Sequence, residues 1–312
     1  MRHPARAPIE FGLVDGSQHD QALAILLTGR PWSGDPAVGQ FLAFAESQHL
    51  SLRQLWGASS SGRLLATALV VPNRGRAGMI FISPVQGHSS LGMVSDLVRA
   101  AVGGQDPEDL TLLQALLDPH QRLEARALGD AGFRDLAHLL YMHRRTDLGP
   151  CPLELEPGIR VVRWSESARP IFAAAILASY EQTLDCRGLL GLRDIQDIIE
   201  GHMATGCFEP DLWSVLAYGD EPVGVMLLNP VPQRAALELV YLGFSVPWRR
   251  RGLGKRMVRY GLGVAPRYDA TSMLLAVDQN NAPAIQMYRA LGFQSTARKR
   301  ALIRALGPRD PL

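Results

Sequence analysis

The stretch SVPWRRRGLGK, residues 245–255, decides how this chain is read. It follows the apolar run ALELVYLGFSV (236–246), which reads as a strand stopped by Pro247, and it leads into GLGKRMVRYGLGVA (252–265), which reads as a helix. A helix start leaves about four backbone N–H groups unpaired and carries roughly half a positive charge. Glycine lets the backbone approach an anion closely and adopt positive φ. Gly252, Leu253 and Gly254 can therefore cradle an anion with main-chain amides alone, and Arg249, Arg250, Arg251, Lys255 and Arg256 surround that cradle with positive charge. Two other phosphate loops do not fit. A Walker A loop needs Gly at 249 and Ser or Thr at 256, and both positions are Arg; a dinucleotide fingerprint needs Gly at 257, where Met257 stands.

Around this loop the second half reads as strand GIRVVRW (158–164), two helical segments, a hairpin turning at GDEP (219–222) and the strand and helix just named. Strand TSMLLAVD (271–278), helix NAPAIQMYRALGF (281–293) and a last strand RKRALIRAL (298–306) complete it. Asn281 stands at the N-cap of that last helix, Pro283 in its first turn and Gly292 at its end. The first half repeats the order. Its hairpin turn at Gly62-Arg63 matches Asp220-Glu221 and its Gly132-Phe133 matches Gly292-Phe293, an offset of about 160 residues of the kind internal repeats give. The expected division is an amino-terminal domain of residues 1–148 and a carboxyl-terminal domain of residues 155–312, joined at the Pro- and Gly-rich TDLGPCPLELEPG (146–158).

The pattern Arg249-x-x-Gly252-x-Gly254 resembles the coenzyme motif of the GNAT superfamily of acyl-CoA-dependent N-acetyltransferases. The segment NNAPAIQMYRALGF (280–293) resembles a second motif of that family, with Asn281, Ala284, Met287, Tyr288, Gly292 and Phe293 in matching places. The resemblance covers residues 158–306, and the doubled arrangement is similar to that of the mycothiol synthase group. It implies an α/β fold of two tandem GNAT-like domains, each a mixed, mostly antiparallel central sheet flanked by helices. It implies acetyl-CoA as co-substrate and a primary amine, of a small molecule, as acceptor. The pyrophosphate is expected on residues 249–255, and the pantetheine arm beside Leu242, Gly243 and Phe244, between two strands that splay apart. Asn281 and Ala284 are expected to contact the coenzyme.

The resemblance also makes Tyr288 the general acid toward the thiolate, and a phenol with an ordinary pKa near 10 carries the proton this needs. Glu238 is the candidate base, with a water chain as the alternative. Simple alternation puts Glu238, Val240, Leu242 and Phe244 on one strand face, and burial of a carboxylate in so apolar a run raises its pKa toward a useful range. Tyr180, Asp185, Cys186 and Arg193, between the two helices that wall the acceptor site in the family, are weaker candidates. The first half departs from the pattern. Aligning Gln86 with Arg249 puts Ser89 and Leu91 where glycines are required, and the second motif, which keeps LGDAGF (128–133), is read with Gly129 in the place of the tyrosine. It is expected to be a degenerate copy, with at most an anion site at residues 87–90.

Composition narrows the alternatives. The net charge is only +2, with a hydrophobic fraction of 47% and a charged fraction of 20%, which fits a globular protein and gives no basic surface for nucleic acid. The three cysteines, Cys151, Cys186 and Cys207, form no CxxC pair, and the histidines form no HxxxH or HExxH pair, so no metal is expected. The start MRHPARAPIEFGLVDG lacks the apolar core of a signal peptide, and the longest apolar run, LLATALVV (64–71), is far short of a span. A cytoplasmic location is expected, with no membrane partner. The competing function is a catalytically idle GNAT fold that binds CoA or a metabolite as a regulatory module.

Overall fold

The computed structural model describes residues 7–306 except 33, 48, 49, 147, 148 and 150. The extreme start of the chain and part of the expected linker therefore lie outside the described residues. The chain forms two compact units, one of Met1–Asp135 with Ala301–Leu312 and one of Leu136–Arg300. These cuts differ from a division at 148–155: residues 136–145 group with the second unit, and the chain from Ala301 groups with the first.

In the first unit the order is β1 (Glu10–Leu13), α1 (His19–Thr28), α2 (Pro36–Ser47), β2 (Leu55–Ser60), β3 (Arg63–Asn73), β4 (Ala77–Ile82), α3 (His88–Gly103), β5 (Leu112–Leu117) and α4 (Arg122–Asp130). The strands lie in sequence order, antiparallel except for the parallel pair β4–β5. Helices cover both faces, α3 and α4 over a core around Val70, Ile80 and Leu113, and α1 over one around Leu55 and Leu69.

The second unit takes up the chain in β6 (Arg134–Arg145) and continues through β7 (Ile159–Arg163), α5 (Arg169–Tyr180), α6 (Ile195–Met203), β8 (Trp213–Tyr218), β9 (Glu221–Val231), β10 (Ala236–Phe244), α7 (Leu253–Val264), β11 (Ser272–Asp278), α8 (Ala282–Ala290) and β12 (Gln294–Ala305), whose end returns to the first unit. The sheet order here is β6-β11-β10-β9-β8-β7, again antiparallel apart from one parallel pair, β10–β11. On one face α7 and α8 bury Leu253, Met257, Ile285 and Tyr288 against Leu237, Leu239 and Met273. On the other, α5 and α6 close over Trp213, which is fully buried and meets Trp164 edge-on at 5.1 Å. Burying aromatic side chains of this size contributes about 2–3 kcal/mol each. Local signals set the helix ends. Asp194 caps α6 by accepting from the Gln196 N–H at 2.8 Å, and Asn281 caps α8 by accepting from the Ala284 N–H at 3.3 Å.

Candidate active site

The site of interest begins where two neighbouring strands stop pairing. β10 and β11 are in register at Ala236↔Ser272, Leu237↔Met273 and Glu238↔Leu274, and at no later pair, although β10 runs on to Phe244 and β11 to Asp278. A cleft of about 560 Å³ opens between their ends, walled by Leu239–Phe244 of β10, by Ala276 and Val277 of β11, by the start of α7 and by Tyr288 of α8. Ser245 donates to Val223 O at 3.1 Å on the β9 side. Backbone alternation then turns the N–H groups of Leu242 and Phe244 toward the gap.

A β-bulge shapes this strand. The β9 register slips between Leu239 and Tyr241, so Val240 is an extra residue. Leu237, Leu239, Leu242 and Phe244 pack on the α7–α8 face, whereas Val240 and Tyr241 pack on the α5–α6 face. Simple alternation therefore fails. Glu238 does not share a face with Leu242 and Phe244, because the inserted residue flips the pattern halfway along the strand. Glu238 stands at the last paired position and is not among the residues lining the cleft. Burial raises its pKa, against the opposing charge of Arg234, and its own charge helps raise that of Tyr141 on β6.

The glycine loop has the conformation an anion cradle requires. Gly252 is the N-cap of α7 at φ 79°, no side chain caps that end, and Arg250 is also left-handed at φ 62°. A Cβ at Gly254 would lie 3.1 Å from Met287 Sδ, tighter than ordinary contact. Arg250, Gly252, Leu253, Gly254 and Lys255 all line the cleft. The other two arginines are engaged elsewhere. The Arg251 guanidinium lies 4.5 Å from the Trp248 ring centre and 3.8 Å from a Glu156 carboxylate oxygen. That of Arg249, whose residue also borders the cleft, donates to backbone carbonyls of Phe244, Ser179, Glu181 and Gln182.

Tyr288 lines the cleft at 7% exposure, with its ring edge-on to Phe293 at 5.6 Å. Burial, and after it the charge of Asp185, push its phenol above the ordinary tyrosine range. Asn281 and Ala284 also line the cleft, so the residue that caps α8 borders it as well. Of the weaker candidates, Asp185 reaches the cleft, and burial raises its pKa. Burial, then the charges of Asp185 and Asp278, push the Cys186 thiol up to about 12, which keeps it a thiol and unsuited to nucleophilic attack. Burial pushes Tyr180 up to about 12, while Arg193 is tied to Asp197 O at 2.6 Å.

Asp185, Cys186 and Asp278 have ligand atoms within 4.8 Å of one another, and each Asp278 carboxylate oxygen accepts from a backbone amide, Cys186 N–H at 3.1 Å and Asn280 N–H at 2.9 Å. Sequence reasoning missed Tyr241, which lines the cleft and shares a 2.7 Å hydrogen bond with Ser179 Oγ, and it missed Asp278. The signal for Asp278 was a lone acid ending the apolar run MLLAV; the bulge that aims Tyr241 left no mark in the sequence.

In the first unit α3 begins at His88 behind Gly87, at φ 81° and ψ 179°. Gly87 thus stands where Gly252 stands and Ser89 where Gly254 stands, two residues from the alignment that matched Ser89 to the first glycine. Just ahead of this helix the buried Glu124 carboxylate accepts the Val85 N–H at 2.9 Å.

Residues 188–293 match the family model described as Acetyltransferase (GNAT) family. Over that segment the chain is similar to GNAT acetyltransferases. The GNAT likeness extends to "N-acetyltransferase family 8 member 7" of Mus musculus, 32% identical over 33% of this chain and 46% of that protein. The chain thus spans less than half the length of that relative. A mycothiol acetyltransferase of Corynebacterium glutamicum (strain R) is 39% identical over 18% of this chain and 19% of that protein. A solved tandem GNAT protein from the clavulanic acid biosynthesis pathway aligns over 97% of this chain and 100% of its own, with a TM-score of 0.51 at 15% identity. That likeness is one of fold, and it supports a tandem GNAT arrangement of mixed α/β units. No helix among the described residues is long and apolar enough to cross a membrane.

Proposed function

We propose that this chain moves an acetyl group from acetyl-CoA to a primary amine of a small molecule in the second unit, by direct attack on the thioester, in the cytoplasm. The first unit is then a degenerate copy. The observation that carries this reading is the parting of β10 from β11 after Glu238 and Leu274, with the bare N-terminus of α7 and Tyr288 on the same cleft. The residues present fit the coenzyme. The α7 amides with Arg250 and Lys255 suit a diphosphate. The gap suits an extended arm that pairs with the backbone of Leu242, Gly243 and Phe244, and Asn281 and Ala284 border it.

Acetyl-CoA supplies the acyl group already activated as a thioester. The gap-facing N–H of Leu242 or Phe244 would hold the carbonyl and stabilise charge growing on its oxygen, an interaction worth roughly 3–4 kcal/mol in good geometry. Tyr288, held firmly protonated, donates a hydrogen bond to the leaving sulfur and releases its proton as charge gathers there. Because Glu238 does not line the cleft, the proton leaving the amine travels through water, with Glu238 as the terminal acceptor of that relay. The mouse relative's name places N-acetylation on that protein, which agrees with an amine acceptor here. The test is calorimetry with acetyl-CoA, followed by CoA release across a panel of primary amines. One coenzyme bound per chain and saturable release with at least one amine are expected. Coenzyme binding with no turnover across the panel points instead to the idle module, and no binding at all removes both readings.

A further inference from the structure

We propose that Arg249 is a positioning residue for the acceptor side of the cleft and not a ligand of the coenzyme phosphates. Its guanidinium is a strap that ties the segment following α5 to the end of β10. Nε donates to Phe244 O at 2.9 Å, Nη1 to Gln182 O at 3.3 Å, and Nη2 to Ser179 O at 3.0 Å and Glu181 O at 2.6 Å. An arginine has five N–H donors in a fixed fork, so these four bonds leave no paired face for a phosphate. The acceptors include the carbonyls that a helix C-terminus leaves unpaired, where a cation is favoured. The two elements also touch closely, since a Cβ at Gly243 would lie 2.5 Å from Ser179 Oγ.

The far end of the same segment is fixed to the other strand. Cys186 N–H donates to Asp278 Oδ2 at 3.1 Å, and Asp278 N–H donates to Asp185 Oδ1 at 2.9 Å. Residues 179–186 thus run from the end of β10 to the end of β11, the two strands that part, and put Gln182, Thr183, Leu184 and Asp185 on the cleft wall.

The first unit supplies an independent observation. Gln86, just past β4, donates from Nε2 to Gly29 O at 3.0 Å, and Gly29 is the C-cap of α1. That unit has Ser89 in place of the second cradle glycine, yet it keeps the tie from the loop to the end of its first helix. The strap therefore belongs to the fold and is separable from the phosphate cradle. The functional part of this proposal rests on the acetyl-transfer reading above.

The test uses the full chain with Arg249→Gln, Arg249→Lys, Lys255→Gln and Asp278→Asn. Acetyl-CoA affinity is measured by calorimetry, and hydrogen exchange is measured on the peptide spanning residues 179–186. Both Arg249 variants should bind acetyl-CoA within about threefold of the parent. They should also exchange the segment's amides at least about tenfold faster. Lysine cannot rescue, because it lacks the planar fork. Asp278→Asn should loosen the segment from its other end, and Lys255→Gln should weaken coenzyme binding while leaving the segment protected. A phosphate ligand would behave otherwise: Arg249→Gln would lose affinity as Lys255→Gln does, Arg249→Lys would restore it, and the segment would not change. Unchanged exchange in both Arg249 variants overturns the proposal, as does a loss beyond threefold in Arg249→Lys. If the parent protein itself fails to bind acetyl-CoA, the coenzyme reading falls, and the exchange data alone judge the strap.

Discussion

The two units carry the same device with different chemistry in it. In each, a parallel strand pair is held for three residues, Ala77–Met79 with Leu112–Gln114 in the first and Ala236–Glu238 with Ser272–Leu274 in the second. In each, a helix then starts behind a glycine of positive φ, and a side chain just past the strand ties back to the end of the unit's first helix. What differs is the loop. Gly252 has ψ −2° and leads to Gly254 and Lys255, whereas Gly87 has ψ 179° and leads to Ser89, with the Glu124 carboxylate on the Val85 amide ahead of it. Strand parting and strap belong to the architecture. On the proposed reading, affinity for a diphosphate is an addition made by a few residues, separable from the fold.

The sharpest way to break this contrast is at the reacting end. Tyr288→Phe should lower turnover by about 10²–10⁴-fold and leave acetyl-CoA affinity within about twofold. Gly129→Ala, on α4 of the first unit, should do neither; the place of Tyr288 is held there by Leu128 and not Gly129, since the Leu128 carbonyl accepts the Phe133 N–H as that of Tyr288 accepts the Phe293 N–H. Steady-state CoA release with an accepted amine, together with calorimetry, separates the two.

The next effect is on stability and is confined to the second unit. The His202 ring lies 5.4 Å from that of Tyr241, and among the described residues nothing hydrogen-bonds its Nε2. Burial, then the charge of Arg193, lowers its pKa from 6.5 to about 4. A group depressed on folding contributes stability that is fully present above its unfolded value and lost as pH falls through its folded one. Stability should therefore decline as pH falls from 6.5 toward about 4, by an amount on the order of 3 kcal/mol. His202→Leu should flatten that decline in urea titrations run across the same pH range, since it removes an unsatisfied buried polar atom. A decline of the same depth in the variant would show that the lost stability comes from another group.

Gly254→Val tests the cradle itself. The side chain would meet Met287 and crowd the amides, so acetyl-CoA affinity should fall at least about tenfold. Ser89→Val should leave it unchanged. Equal losses from both variants would mean that the first unit contributes to binding after all.

Much of this was legible in the sequence because the governing physics is local. Gly29, Gly87 and Gly252 mark helix ends at positive φ, Asn281 caps its own helix, and alternation gives the strands. The site was legible where it is built from one short segment, as in Gly252–Lys255 and Asn281–Tyr288. It was obscure where contacts join distant residues. Arg249 reads as one more cation in an arginine run, and three of its four carbonyl partners lie 67 to 70 residues away. Val240 reads as an ordinary alternating position, and the bulge that moves Glu238 off the face of Leu242 exists only against β9. The assignment of residues 136–145 to the second unit is likewise a matter of pairing with β11, on which local pattern is silent.

The smallest expected effect is the most pointed for the contrast between the units. Glu124→Gln keeps an oxygen that can accept the Val85 N–H and removes only the charge. Exchanging a charged for a neutral acceptor in a buried bond costs about 1 kcal/mol, to be read as a slight fall in the unfolding midpoint. If the Glu124 charge were all that keeps the first unit from holding a diphosphate, this variant would bind a second acetyl-CoA. It should not, because Ser89 still stands where Gly254 stands in the working loop, and Gly87 still brings the chain into α3 from another direction. Calorimetry of the variant should return the same stoichiometry as the parent. A second binding event would show that the two loops differ by one charge and not by their backbones.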